Sequence, residues 1–148
     1  MATIETVNFK AGRMTFSQEH VNVSDIVGVG GSNEKFDVML IQALFKLVEL
    51  KLGGFGITDL PEPTGFFDGK TGRVIWEFQK KWKAEAQRVD GKIHPGNYKN
   101  RVIQGGGRRM TITLLNNVAY DELIILSRPD LITTLKRIAP QLVLTRVS

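Results

Sequence analysis

The sequence predicts an α+β fold in one domain, a helical middle held between β-rich ends. Three observations lead there. Residues 3–16 alternate in polarity around the Gly-containing turn KAGR, the pattern of a β-hairpin. Residues 34–51 are apolar around nearly the whole helical circumference, which marks a helix buried between two layers. The stretch FDGKTGRVIWEFQKKW, residues 67–82, runs from an Asp-Gly turn into helical spacing, and a second Asp-Gly follows at 90–91.

The hairpin places Ile4, Thr6 and Asn8 on one face and Val7 and Phe9 on the other, with Met14 and Phe16 on the return. Residues 17–33 read as loop, including GVGGSN at 28–33. Ser32 or Asn33 can cap the helix over 34–51. In that helix Val38, Ile41, Phe45, Val48 and Leu52 form one stripe, and Leu40, Leu44 and Leu47 another. Residues 52–69 are a loop punctuated by Gly and Pro. The next helix, about 71–86, starts at Thr71 as cap and buries Val74, Ile75, Phe78 and Trp82. A short third helix is expected near 95–103, a flexible joint at 103–109, and a strand over 110–117 from the alternation of MTITLLNN. Ser127, with Asp130 three residues on, is the candidate cap of a last helix through Leu131, Ile132, Leu135 and Ile138, which Pro140 stops. QLVLTRV closes as a strand. No linker is long enough to separate two domains. The chain divides into a hairpin extension over 1–29, a helical core over 30–103 and a strand-helix-strand extension over 104–148.

Composition narrows the classes of function. With 148 residues, 42% hydrophobic and 24% charged, the chain has the balance of a soluble globular domain. No membrane span is expected: the richest apolar run, VMLIQALFKLVELKL, is broken by Gln42, Lys46 and Glu49. MATIETVNFKAGRMTF lacks the basic start and continuous apolar stretch of a secretory signal. A cytoplasmic location, a mature fragment, or export by a route without a cleaved signal is the corresponding expectation. Cysteine is absent, which excludes a thiolate nucleophile and sulfur-ligated zinc. The net charge of +5 favours anionic partners, among them a bacterial wall polymer. The basic clusters KKWK (80–83) and GGGRR (105–109) are too short for a nucleic-acid tail, and no nucleic-acid partner is expected.

Little in the sequence points to catalysis. His20 and His94 are the only histidines, and neither sits in a metal-binding spacing. There is no G-x-S-x-G elbow, and no carboxylate pair is singled out for glycoside hydrolysis. GVGGSN precedes a helix as a phosphate loop does, but a dinucleotide fingerprint needs Gly at position 33, which is Asn. No metal, cofactor or enzymatic activity is expected.

The spacing of the middle resembles the peptidoglycan-binding domain of bacterial and phage wall hydrolases, a bundle of three helices. Val38, Ile41, Gln42 and Phe45 follow that family's V-x-x-L-Q-x-x-L, with Ile for Leu and either Leu44 or Phe45 as the last apolar residue. Its D-G-x-F-G-x-x-T-x-x-A-V-x-x-F-Q is met by Gly65, Phe67, Thr71, Val74, Ile75, Phe78 and Gln79, with Thr64 for the Asp and Asp68 for the second Gly. Its closing D-G-x-(V/I)-x-P-x-T is met by Asp90, Gly91, Ile93 and Pro95, with Asn97 for the Thr. The resemblance covers about residues 30–103 and leaves both ends outside.

The residues read the same way physically. Gln42 and Gln79, at the edges of apolar stripes, are placed to satisfy backbone groups of loops. Asp90-Gly91 is a turn with Gly at positive φ. Ligand contact is sought among residues the core does not need. Trp76, near Lys80 at helical spacing, offers an aromatic face for a sugar ring or peptide stem, or else packs against the β ends. Asp68 and Arg73 flank helix amides that can bind a stem carboxylate, unless they only cap and solvate it. Asn97 and Tyr98 open the expected third helix. The resemblance implies non-catalytic binding of peptidoglycan or muropeptide fragments. A protein-interaction or assembly module, in a secretion or phage system, is the alternative.

Overall fold

The computed structural model describes residues 1–147. It is an α+β structure with five helices, a four-stranded sheet and a two-stranded sheet among the described residues. Strands β1 (Thr3–Ala11) and β2 (Met14–Asn22) pair antiparallel from Thr3↔Asn22 to Ala11↔Met14, and Gly12 turns the hairpin at φ 61°. The return strand thus reaches Asn22, six residues beyond the alternating segment. His20, Val21, Asn22 and Val23 are all buried. A strand end covered on both faces loses the polar alternation that marks a strand in sequence, so these residues read as loop. Ile4 and Val21 enter the main core, while Val7 and Phe9 form a second, smaller cluster with Tyr98.

Helix α1 (Lys35–Leu47) is the centre of the core, and every residue from Val38 to Phe45 is at most 1% exposed. Burial on two sides is what its double apolar stripe requires. Its N-cap is Glu34, which accepts from the Asp37 amide at 2.9 Å, and not Ser32 or Asn33. Asn33, at φ 50°, closes the preceding loop instead, accepting from the Gly28 amide and donating to the Gly28 carbonyl. The helix ends at Leu47 and resumes after Val48 as α2 (Glu49–Gly54).

Helix α3 (Gly69–Lys81) starts two residues earlier and ends five earlier than its spacing suggests. Asp68 caps it, accepting from the Thr71 amide at 2.9 Å and the Thr71 hydroxyl at 2.6 Å. Thr71 therefore lies inside the first turn and is not the cap.

No helix forms over 95–103. That segment is irregular, and ends in β5 (Val102–Gln104), which pairs in parallel with β1. Two residue pairs join β3 (Val27–Gly28) to β4 (Lys92–Ile93). The expected strand at 110–117 is the start of helix α4 (Thr111–Ile125). Thr111 to Asn116 are all buried. With polar residues turned inward among apolar ones, the helical period is masked and a false period of two is left.

Asp130, not Ser127, caps α5 (Leu131–Ile138) by accepting from the Thr133 amide, and Ser127 occupies a turn at φ 49°. Of the closing segment only Thr145–Arg146 forms a strand, β6, parallel to β1. The Thr145 amide donates to the Ala2 carbonyl and the Val147 amide to the Ile4 carbonyl. The C-terminal extension is helix-helix-strand, not strand-helix-strand.

Candidate binding site

Two glutamines organise the surface that could receive a ligand. Gln42 of α1 accepts from the Gly65 amide at 2.9 Å and donates to the Phe66 carbonyl and the Thr71 hydroxyl at 2.9 and 3.0 Å. Gln79 of α3 repeats this arrangement. It accepts from the Gly91 amide at 2.7 Å and donates to the Lys92 carbonyl and the Thr111 hydroxyl at 2.8 and 3.0 Å. Each glutamine clamps a turn glycine, the carbonyl after it and a threonine in the first turn of a later helix, α3 for Gln42 and α4 for Gln79. Both glycines adopt positive φ, 81° at Gly65 and 73° at Gly91. Full use of a buried amide is what such burial demands, so Gln42 and Gln79 are committed to the fold.

Between the second turn and Thr111 the chain makes an excursion, and this builds the site. Asn22 holds its start, accepting from the Gly96 amide and donating to the Gly96 carbonyl. Tyr98 is buried, its hydroxyl 2.7 Å from that of Thr113. Burial pushes the phenol up to about 12, so it stays protonated as a hydrogen-bonding anchor. β5 lies along β1, and the Gly105 amide donates to the Lys10 carbonyl at 2.8 Å. The return is tied by backbone bonds between Arg109 and both Glu85 and Gln87. Arg108 donates to the carbonyls of Lys83 and Ala86. The segment expected to be a flexible joint is bonded at both of its ends.

The excursion and the start of α4 enclose a cleft of about 210 Å³ whose wall carries Asn97, Tyr98, Arg101, Arg108 and Arg109. Three arginines line it with no carboxylate among the lining residues, although Arg108 also serves the Lys83 and Ala86 carbonyls; Arg suits planar oxyanions. Arg109 also lies over the Phe9 ring at 5.5 Å and borders a second cleft of about 200 Å³, where Phe9 stacks on the half-exposed Phe16 at 5.2 Å. Behind it is His20, lowered to about 4 chiefly by burial and then by the Arg109 charge. It is neutral at physiological pH, and its Nδ1 has no hydrogen-bond partner. No group of three His, Asp or Glu side chains able to hold a metal occurs among the described residues.

Of the six residues singled out in sequence, Asn97 and Tyr98 line the arginine cleft. They do so from an irregular segment and not from a helix start. Asp68, Arg73, Trp76 and Lys80 belong to α3 and its cap. Asp68 spends its carboxylate on Thr71, whose hydroxyl and amide hold it below the usual range. Arg73 lies 3.9 Å from Asp59. Trp76 is 42% exposed, with the Lys80 ammonium 5.6 Å from its ring centre, so the ring is presented to solvent. Arg101, Arg108 and Arg109 were not foreseen as site residues. GGGRR reads as a joint because its backbone partners, Glu85, Gln87 and Lys10, are remote in sequence.

No protein-family model matches the chain, and neither a curated protein nor a solved structure gives a significant match to it.

Proposed function

We propose that α1, α3 and α4 are the three helices of a peptidoglycan-binding-like core, and that the protein is a non-catalytic module that binds bacterial peptidoglycan, with carboxylates of the peptide stem in the arginine cleft. The observation that carries this reading is the repeated glutamine clamp. The residues that resemble the family's motif, Gln42, Gly65, Thr71, Gln79 and Gly91, act together as two copies of one device. On this reading the third helix begins at Thr111 rather than Asn97, and the chain between Gly91 and Thr111 is an addition to the family pattern. The arginines that line the cleft on this addition supply charge complementary to an acidic stem.

A pull-down with insoluble sacculi at low and high salt tests this. Arg101, which is exposed and makes no side-chain bond among the described residues, is changed to Glu. Arg73→Ala on α3 runs beside it. The reading expects binding that persists at high salt, falls at least fivefold in Arg101→Glu and is unchanged in Arg73→Ala. Binding that disappears with salt would reduce it to the effect of net charge. Equal binding by native and Arg101→Glu protein would remove the cleft from it.

A second reading, assembly with another protein, is favoured by β2. It is an edge strand of the sheet with Met14 71% and Phe16 49% exposed, and such an edge can accept a further strand. Failure to bind sacculi at low salt would leave this reading in front.

A further inference from the structure

Glu122 of α4 is 4% exposed, and its carboxylate enters no ion pair among the described residues. A carboxylate that lines a cleft with no ion-pair partner of its own is complemented by a cationic ligand. Two polar neighbours on the cleft are engaged elsewhere, and Arg128 forms no ion pair with Glu122 among the described residues. The Lys46 ammonium pairs with Glu62 at 3.0 Å, and the Thr134 hydroxyl donates to the Pro129 carbonyl at 3.1 Å. Glu122 also lines a cleft of about 320 Å³ between the end of α1, the start of α2, the end of α4 and α5. Leu47, Leu50, Leu123, Leu126 and Ile138 form its apolar wall, and Lys46, Glu49 and Arg128 are the other charged residues on it.

We propose that this cleft binds a lysine-type side chain of a short peptide: the ammonium reaches Glu122, the aliphatic chain lies along Leu47, Leu123 and Leu126, and the Arg128 guanidinium receives a carboxylate of the same ligand. Each part of that ligand matches a feature of the cleft. The carboxylate selects a cation, and the leucines select a hydrocarbon spacer over a compact ion. The cations of Lys46 and Arg128 disfavour a ligand carrying positive charge alone. The cleft shares no lining residue with the arginine cleft, so the proposal holds or fails independently of wall binding.

The test is a titration of the full chain followed by amide chemical shifts, with Nα-acetyl-lysine as probe and Nα-acetylnorleucine, which has the chain and carboxylate but no ammonium, as control. The expected result is saturable shifts at Leu47, Leu123 and Leu126, with at least tenfold weaker binding of the norleucine derivative and at least tenfold weaker binding of the lysine derivative to Glu122→Gln. Leu50→Arg, at a position 65% exposed, leaves the core untouched and puts a further cation at the mouth. It is expected to weaken the lysine derivative severalfold relative to the norleucine derivative, which carries the same carboxylate and no ammonium, a readout that does not depend on Glu122→Gln folding. Equal affinity for the two probes, shifts elsewhere, no shifts up to about 10 mM probe, or insensitivity to Leu50→Arg would overturn the proposal.

Discussion

The two glutamine clamps do the same job in different company. At the first, the chain leaves Gly65 and enters α3 directly, with Asp68 capping the helix whose Thr71 the clamp holds. At the second, the chain leaves Gly91, pairs with β3, runs along β1 as β5 and only then reaches Thr111, and α4 has no side-chain cap at all. The first clamp is closed and self-sufficient. The second tolerates a long excursion because it fixes both ends of it: Gly91 and Lys92 where it departs, Thr111 where it returns. A turn pinned at both ends can be enlarged without disturbing the helices it joins, since loop-closure entropy grows only slowly with length. The arginine cleft lies on this excursion.

Breaking each clamp gives the largest effects. Gln42→Ala leaves the Gly65 amide, the Phe66 carbonyl and the Thr71 hydroxyl without their partner, two of these bonds being fully buried. Unfolding by denaturant is expected to show a loss of about 4 kcal/mol. Gln79→Ala is expected to lose less, about 3 kcal/mol, because its bonds to Gly91 and Lys92 lie nearer solvent. Equal losses would mean that the two clamps are equally enclosed.

Acid separates the flank on which the excursion packs from the helical scaffold. His20 sits beside Tyr98, ring centres 6.2 Å apart, and its folded value of about 4 lies below the ordinary 6.5. The unfolded chain therefore binds the proton more readily, and stability is expected to fall as pH drops from about 6.5 towards about 4, by as much as about 3 kcal/mol. The fall should be absent from His20→Asn. Amide exchange should quicken first in β1, β2 and β5, while α1 and α3 remain protected.

The turn glycines sharpen the contrast. A Cβ on Gly65 would come within 2.8 Å of Lys35 Cγ and 2.9 Å of the Lys35 carbonyl, whereas one on Gly91 would meet nothing nearer than Trp76 at 3.8 Å. Both substitutions to Ala incur the strain of positive φ, about 1 kcal/mol. Thermal unfolding should show Gly65→Ala losing roughly 1–2 kcal/mol more than Gly91→Ala from the added clash. The smallest effect belongs to the cap. Asp68→Ala is expected to lose about 1 kcal/mol at neutral pH. Because Thr71 holds the carboxyl below its usual range, the native advantage should vanish as pH falls through that lowered value.

Much of this scaffold was legible before the structure. The double stripe of α1, the stripe of α3, the role of Gln42 and Gln79 in satisfying loops and the Asp90-Gly91 turn all follow from local spacing, and all are present. What could not be read depends on contacts remote in sequence. Asn116 faces the core because the Val21 backbone waits there, 95 residues away. Without that partner Asn116 and Thr113 break the helical period, and α4 reads as a strand. Asn97 and Tyr98 were chosen for a helix that does not form, although both line the cleft. Arg109 is held by backbone bonds to Glu85 and Gln87, and Arg108 by its side chain on the Lys83 and Ala86 carbonyls, contacts that no local pattern announces.

The pairing of β6 with β1 has a mechanical consequence. These terminal strands are parallel, so a pull on the two ends of the chain draws them past one another lengthwise instead of peeling them apart, and the bonds from Thr145 to Ala2 and from Val147 to Ile4 are loaded together. Sequence attached before Met1 or after Val147 would leave from one corner of the sheet. Tension between such attachments would be borne there, in shear, before it reached the helices or either cleft.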